Sequence, residues 1–96
     1  MEVEIRDKDM LKCPYCGEIY LHQGKVEVFE LVKEDDNEGN ITTIDGMDTS
    51  VKYGRLCGNP SMRRNGLLIH FECETCDNTP VLRISQHKGL TLIDWK

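Results

Sequence analysis

The sequence has few of the side chains that build a large apolar core. Aromatic residues make up 6% of its 96 residues, and hydrophobic residues of all kinds make up 39%. A chain of this size leaves much of its surface in contact with water, so apolar burial alone is a weak basis for a fold. The sequence therefore predicts a single small domain over residues 1–96 with a second source of stability.

Long apolar runs are also missing. No stretch approaches the roughly 18 apolar residues of a membrane span, and residues 1–10 are charged and lack the apolar stretch of a secretory signal. These absences predict a soluble cytoplasmic protein with no membrane partner. In a reducing compartment, cysteines bind metal or do redox work more often than they form disulfides, and the odd count of five argues against a closed disulfide framework.

A helical period is absent, because no segment repeats its apolar residues every 3.6 positions. Alternating or clustered apolar residues instead predict strands at 67–73, 81–86 and 90–95, with His87-Lys88-Gly89 as the hairpin loop between the last two. Upstream, a hairpin is predicted with strands at 18–22 and 26–32 and a turn at Gln23-Gly24. The predicted fold class is all-β, with an antiparallel sheet of three or more strands.

A polar and glycine-rich connection separates these two groups of strands. A structureless loop of this length is uncommon in a compact domain, so the connection is either partly disordered or contains short strands, with residues 51–56 as the best candidate. We expect residues 34–65 to be a long inserted loop, mobile and with few regular elements.

The strongest chemical signal is a pair of CxxC motifs, CPYC at 13–16 and CETC at 73–76. Each motif places two sulfurs on one side of a tight turn, and two such turns complete a four-coordinate shell. Pro14 presets the first turn, and Gly17 permits a left-handed backbone after its second cysteine. The pattern predicts one structural Zn²⁺ per chain, with the ligands Cys13, Cys16, Cys73 and Cys76.

Other interpretations of these cysteines stay open: iron on the same ligands, a redox dithiol, or cysteines that are simply buried. A redox CxxC motif usually opens a helix that lowers the thiol pKa, and neither motif precedes a helical pattern. Because four thiolates leave zinc no open position, we expect a protein that is not an enzyme, with a small redox or hydrolytic enzyme as the disfavoured alternative. Cys57 is expected to be a free thiol.

Charge is distributed unevenly within a net charge of −5. Residues 1–50 contain thirteen acidic and five basic side chains, whereas residues 51–96 contain four acidic and seven basic ones. Adjacent arginines suit phosphate or carboxylate recognition, although a solvated turn or pairing with the acidic first half explains them equally simply. The candidate anion-binding residues are Arg55, Arg63, Arg64, Arg83, His87 and Lys88.

Two CxxC knuckles joined to antiparallel strands resemble the zinc-ribbon fold group, over residues 11–32 and 66–95. More narrowly, GNPSMRRNGL at 58–67, FECETC at 71–76 and QHKGLT at 86–91 resemble short zinc-ribbon proteins of unassigned function encoded by bacteria and their phages. The resemblance implies zinc at the four cysteines of the two motifs. It also implies a binding or adaptor module, with a protein partner as the first expectation and nucleic acid, bound by the arginine-rich turn, as the alternative. It leaves the oligomeric state open.

Overall fold

A computed structural model describes residues 10–32 and 37–96. Within these residues the chain forms six strands and no helix: β1 (Leu21–Leu31), β2 (Glu38–Asp45), β3 (Asp48–Arg55), β4 (Gly66–Cys73), β5 (Val81–His87) and β6 (Leu90–Trp95). All six belong to one antiparallel sheet in the order β3-β2-β1-β4-β5-β6. The prediction of an all-β fold with at least three strands is confirmed.

The centre of the sheet is the pair β1–β4. β1 is one continuous strand, so the predicted hairpin with a turn at Gln23-Gly24 is wrong. The register between the two strands shifts between Gln23 and Val26, where one extra residue of β1 forms a bulge opposite β4. A glycine inside a strand pattern is compatible with either a turn or a bulge. Here it forms a bulge, because β1 pairs with β4 on both sides of it.

The segment predicted as a long inserted loop contains a regular hairpin. β2 and β3 pair along their full length, from Glu38 opposite Arg55 to Asp45 opposite Asp48, and Gly46 begins the turn with a φ of 63°. The expectation of few regular elements over 34–65 is therefore wrong, and the alternative of a strand at 51–56 corresponds to most of β3. Residues 34–36 lie outside the described residues, and the mobility of the segment stays a prediction.

The chain between β3 and β4, residues 56–65, crosses one face of the sheet, and we call it the crossing loop. It must return from the sheet edge, past β2 and β1, to reach β4. Leu56 at its start is buried against Phe29 of β1 and Leu68 of β4, and this cluster is the main core of the described residues. The crossing loop thus supplies the second layer that a single sheet needs in order to bury one face.

The opposite face of the sheet carries two apolar rows that run across the strands. In the first row, Ile44, Val26, Ile69, Leu82 and Trp95 are successive cross-strand neighbours. Exposure rises along this row, from 4% at Trp95 and 8% at Leu82 to 42% at Ile44. The second row comprises Val51, Thr42, Val28, Leu67, Ile84 and Ile93. This face is therefore buried at its β5–β6 end and exposed at its β2–β3 end.

Candidate metal centre and arginine-bearing loop

The four predicted ligands come together at one end of the central strands. Cys13 and Cys16 lie in the turn that precedes β1, Cys73 is the last residue of β4, and Cys76 lies in the turn before β5. Their Sγ atoms all lie within 4.8 Å of one another. The Cys13–Cys76 and Cys16–Cys73 sulfur pairs are 3.7 and 3.6 Å apart. A tetrahedral metal with bonds of about 2.3 Å to sulfur requires sulfur–sulfur edges of about 3.8 Å, so the cluster fits one such ion.

The pairing of β1 with β4 explains how motifs far apart in sequence meet. Cys16 and Cys73 are 57 positions apart, yet β1 begins five residues after Cys16 and β4 ends at Cys73. Leu21 lies opposite Cys73 in the register, and the Glu74 amide donates to the Tyr20 carbonyl at 3.0 Å. The intervening hairpin and crossing loop extend away from this junction without separating the two turns.

The two CxxC turns have the same backbone hydrogen bonds. The amide of the first cysteine donates to the carbonyl five residues later, Cys13 to Glu18 at 2.8 Å and Cys73 to Asn78 at 2.9 Å. In each turn, the carbonyl of that cysteine also accepts from the amide four residues later, at 2.9 Å in the first and 3.1 Å in the second. Each turn is therefore held in shape by its own backbone.

The residue after the second cysteine has a left-handed backbone in both turns. The φ angle is 80° at Gly17 and 60° at Asp77. Glycine adopts this conformation without steric cost, whereas a side chain is tolerated mainly when it is Asn or Asp. The left-handed position predicted at Gly17 is thus present, and Asp77 fills the equivalent position in the second turn.

Two thiols of the cluster have pKa values shifted in opposite directions. Hydrogen bonds from the backbone and side chain of Asn78 lower the pKa of Cys76 to about 6, and the Asn78 amide nitrogen lies 3.2 Å from its sulfur. A hydrogen bond from the backbone at Glu18 lowers the pKa of Cys16. Desolvation and the three neighbouring thiols together outweigh this effect and raise the pKa to about 12. Four adjacent sulfurs cannot all hold negative charge unaided, and a bound cation removes that conflict.

The sequence-predicted basic residues separate into three places. Arg63 and Arg64 lie in the crossing loop and line a cavity that also reaches Gly89 of the β5–β6 turn. His87 is the last residue of β5, so the turn itself is Lys88-Gly89 and not the predicted three-residue loop; His87 and Lys88 are both exposed. The structure thus brings the arginine pair and the β5–β6 turn to one region.

The other two predicted basic residues lie elsewhere. Arg83 is paired with Asp94 on the neighbouring strand, with Nε–Oδ1 and Nη2–Oδ2 distances of 3.0 and 2.5 Å. The hydrogen bonds with Asp94 raise the pKa of Arg83, so its charge is committed to this pair. Arg55 ends β3 and lies opposite Glu38 in the register.

Two residues of the crossing loop, Asn59 and Ser61, hold the loop in shape, a role that the sequence analysis did not assign to them. The Ser61 hydroxyl, on a residue only 3% exposed, donates to the Asn65 carbonyl at 2.7 Å and accepts from the Gln86 amide at 2.9 Å. The Asn59 side chain accepts from the Ser61 amide at 3.0 Å and donates to the Arg64 carbonyl at 2.9 Å. An Asn-Pro-Ser sequence is a recognisable turn signal of this kind.

The fold and the site define a class: a small all-β protein whose four-cysteine cluster could hold a metal ion. Searches of family models, of curated proteins and of solved structures found no match to the chain. In the part of the chain that the structure describes, there is no helix long and apolar enough to cross a membrane.

Proposed function

We propose that this chain is a binding module whose fold is held together by one structural Zn²⁺. The observation that carries the proposal is the four-sulfur cluster, in which two sulfur–sulfur separations are 3.6 and 3.7 Å and all lie within 4.8 Å, as a single tetrahedral ion requires. Thiolate donors suit Zn²⁺, and Fe²⁺ binds the same donors more weakly. Four protein ligands complete the zinc shell and leave no position for a reacting water, which favours a structural role over a catalytic one.

The module acts by binding a protein partner, and the exposed side of the β2–β3 hairpin is the surface that we assign to this task. Ile44, Val51 and Tyr53 share one face of the hairpin, with exposed fractions of 42%, 61% and 66%. We call these three residues the hairpin patch. Adjacent exposed apolar side chains are a usual mark of a protein interaction surface, and a zinc-fixed sheet holds the patch in place.

Elemental analysis of the protein purified without added metal tests the zinc proposal. We expect one zinc per chain, and a Cys73→Ser variant should lose metal because it removes a ligand. Cys57→Ser is the matched control, since Cys57 is exposed and outside the cluster. A normally folded protein without metal, iron in place of zinc, or full zinc occupancy in Cys73→Ser would each contradict the proposal.

Site-specific photo-crosslinking in the native host tests the partner proposal. A photoreactive residue at position 51 lies on the hairpin patch, whereas one at position 52 lies on the same strand with its side chain on the other face. We expect one discrete protein product from position 51, none from position 52, and loss of that product when Tyr53→Glu is added. Equal products from both positions, no product, or attached nucleic acid would contradict a protein partner at this patch.

A further inference from the structure

The two outer strands of the sheet differ in the side chains that protect their edges. An edge strand presents unpaired backbone groups, and proteins usually protect such an edge with charged side chains, proline or a bulge. β3 carries three exposed charged residues along its length, Asp48, Lys52 and Arg55. β6 has no proline, lysine or arginine, and its register with β5 runs without a bulge. Of the two edges, β6 is therefore the one open to pairing with another strand.

The single charged residue of β6 does not protect its edge. Both carboxylate oxygens of Asp94 accept hydrogen bonds from Arg83 of β5. This contact neutralises the carboxylate and holds it toward β5, away from the outer edge. Leu90 and Leu92 lie on the same face of β6 as Asp94, and they are 59% and 46% exposed. The outer edge of the sheet at β6 is thus apolar.

The register of the β5–β6 hairpin shows which backbone groups of β6 point away from β5. The two-residue turn makes His87 and Leu90 a hydrogen-bonded pair, and such pairs recur at every second residue. The Lys96 amide, just beyond β6, donates to the Val81 carbonyl of β5 at 2.8 Å, as this alternation requires. Backbone N–H and C=O groups point outward at the residues in between: Thr91, Ile93 and Trp95. Among the described residues, no strand pairs with these groups.

β6 is complementary to an antiparallel copy of itself. When Leu92 is placed opposite Leu92 of a second copy, Thr91 lies opposite Ile93 of that copy, and each such pair exchanges two backbone hydrogen bonds. On the other face, Leu90 of each copy lies diagonal to Leu92 of its partner, so the exposed leucines of both copies form one apolar row. Asp94 lies opposite Leu90, so no like charges face each other between the two strands.

We propose that β6 pairs antiparallel with β6 of a second copy of this chain, about a two-fold axis at Leu92, to form one continuous sheet. Pairing of one edge with itself closes the assembly at two chains, whereas pairing of β6 with β3 would continue indefinitely. The inference goes beyond the proposed function, because the hairpin patch lies at the far edge of each sheet. The dimer carries one hairpin patch at each end, and it can therefore hold a partner at two points.

Analytical ultracentrifugation of the metal-loaded protein over a concentration series, in reducing buffer, tests the proposal. We expect a reversible equilibrium between monomer and dimer. Leu92→Lys should weaken the dimer by about tenfold or more, because two like charges would meet at the axis and the leucine contact would be lost. The matched control is Met47→Lys, which places the same charge on a fully exposed residue of the β2–β3 turn and should leave association within about twofold. Circular dichroism checks that both variants are folded.

Disulfide trapping tests the register of the pairing. Opposite residues at a non-hydrogen-bonded position of an antiparallel pair have Cα atoms about 4.5 Å apart, a distance that a disulfide spans. In the metal-loaded Cys57→Ser protein treated with oxidised glutathione, Leu92→Cys should therefore form a covalent dimer. Leu90→Cys, on the same strand and face, is the control, because its two Cα atoms would lie more than about 13 Å apart.

The possible results separate the dimer from the proposed function. A monomer at every concentration, a dimer unaffected by Leu92→Lys, or a dimer weakened equally by Met47→Lys would overturn the proposal. Assemblies that keep growing with concentration would also overturn it, since they indicate pairing of unlike edges, as would equal trapping through positions 90 and 92. Zinc content and crosslinking at position 51 do not depend on β6 pairing, so the proposed function is tested separately.

Discussion

The two hairpins that flank the central β1–β4 pair have opposite environments. In β3, at one edge of the sheet, every residue except Gly54 is exposed, whereas in β6, at the other edge, Ile93 and Asp94 are half-buried and Trp95 is buried. Both edge strands pair antiparallel with a single neighbour, so hydrogen bonding in the sheet does not explain the difference. From this comparison we expect side-chain burial and the proposed metal centre, more than strand pairing, to determine how stability is distributed in this sheet.

The β5–β6 hairpin is attached to the rest of the molecule in several ways. β5 follows the second CxxC turn directly, and the Phe71 and Trp95 rings pack edge to face, with centroids 6.0 Å apart. Arg83 and Asp94 join its two strands through a paired contact. A metal in the cluster would hold the start of β5 in place, so we expect this hairpin to belong to the rigid part of the fold.

The β2–β3 hairpin is attached mainly by the backbone pairing of β2 with β1. Ile41 is its only apolar side chain that packs against the main core among the described residues. Its other large apolar side chains are exposed, including Met47 at the turn and the hairpin patch. This edge of the sheet therefore leaves apolar surface exposed, and it is the surface that we propose for a protein partner.

Removing the metal should lower the stability of the fold more than any other change. It should also abolish the difference in stability between the two hairpins. Structural zinc sites contribute apparent binding free energies of about 10 kcal/mol or more, which become folding free energy. A chelator, or Cys73→Ser, should therefore unfold the β5–β6 side as measured by circular dichroism and NMR. Cys57→Ser should behave as the parent does, and an unchanged spectrum after chelation would contradict this.

Lowering the pH should destabilise the fold, as a chelator should. Protons compete with the metal for the thiolates, so stability that depends on the metal should be lost as the pH falls and should be regained on neutralisation. Metal release and loss of the folded spectrum should coincide in a pH titration. Metal release with the spectrum unchanged would show that the sheet does not depend on the ion.

Truncating a buried side chain of β1 should cost far more stability than truncating an exposed side chain of β3. Phe29 is 1% exposed at the centre of the main cluster, so Phe29→Ala should lower the free energy of unfolding by about 3–5 kcal/mol. Tyr53→Ala on the hairpin patch should change it by no more than about 0.5 kcal/mol. Denaturant unfolding measures both, and similar losses in the two variants would contradict the contrast drawn here.

Amide hydrogen exchange should rank the strands by their protection against exchange. We expect β3 to exchange faster than β4, because β3 lies at the edge and contributes little buried apolar area. Amides of the crossing loop that donate within the fold, such as those of Leu56 and Ser61, should be more protected than β3. Equal protection in β3 and β4 would show that the hairpin is as firmly packed as the centre.

The smallest expected effect concerns the two CxxC turns, one leading into β1 and the other into β5. Gly17→Ala should destabilise the protein by about 1 kcal/mol, because the φ of Gly17 is left-handed. Asp77→Gly should stabilise it by no more than about 1 kcal/mol, since it relieves the same strain in the second turn. Thermal unfolding in excess metal measures both changes, and a destabilising Asp77→Gly would indicate a role for the Asp77 side chain.

Features that depend on a few neighbouring residues follow from the sequence alone. The CxxC spacing sets each pair of sulfurs, and Gly17 supplies the left-handed position after the first pair. Strand β4 follows from apolar alternation, and the β5–β6 hairpin follows from two short apolar runs around Gly89. These interactions are local, so their pattern is visible in the sequence.

The tertiary structure decided what local pattern left ambiguous. Gln23-Gly24 forms a bulge and not a turn because β4 pairs along both halves of β1. The polar β2–β3 hairpin has no clear alternation because water contacts both faces of its outer half. Arg83 is joined to Asp94, and Arg63 reaches the β5–β6 turn, only through the sheet register and the path of the crossing loop. Such contacts join residues distant in sequence, and they arise only when the strands have assembled around the β1–β4 pair.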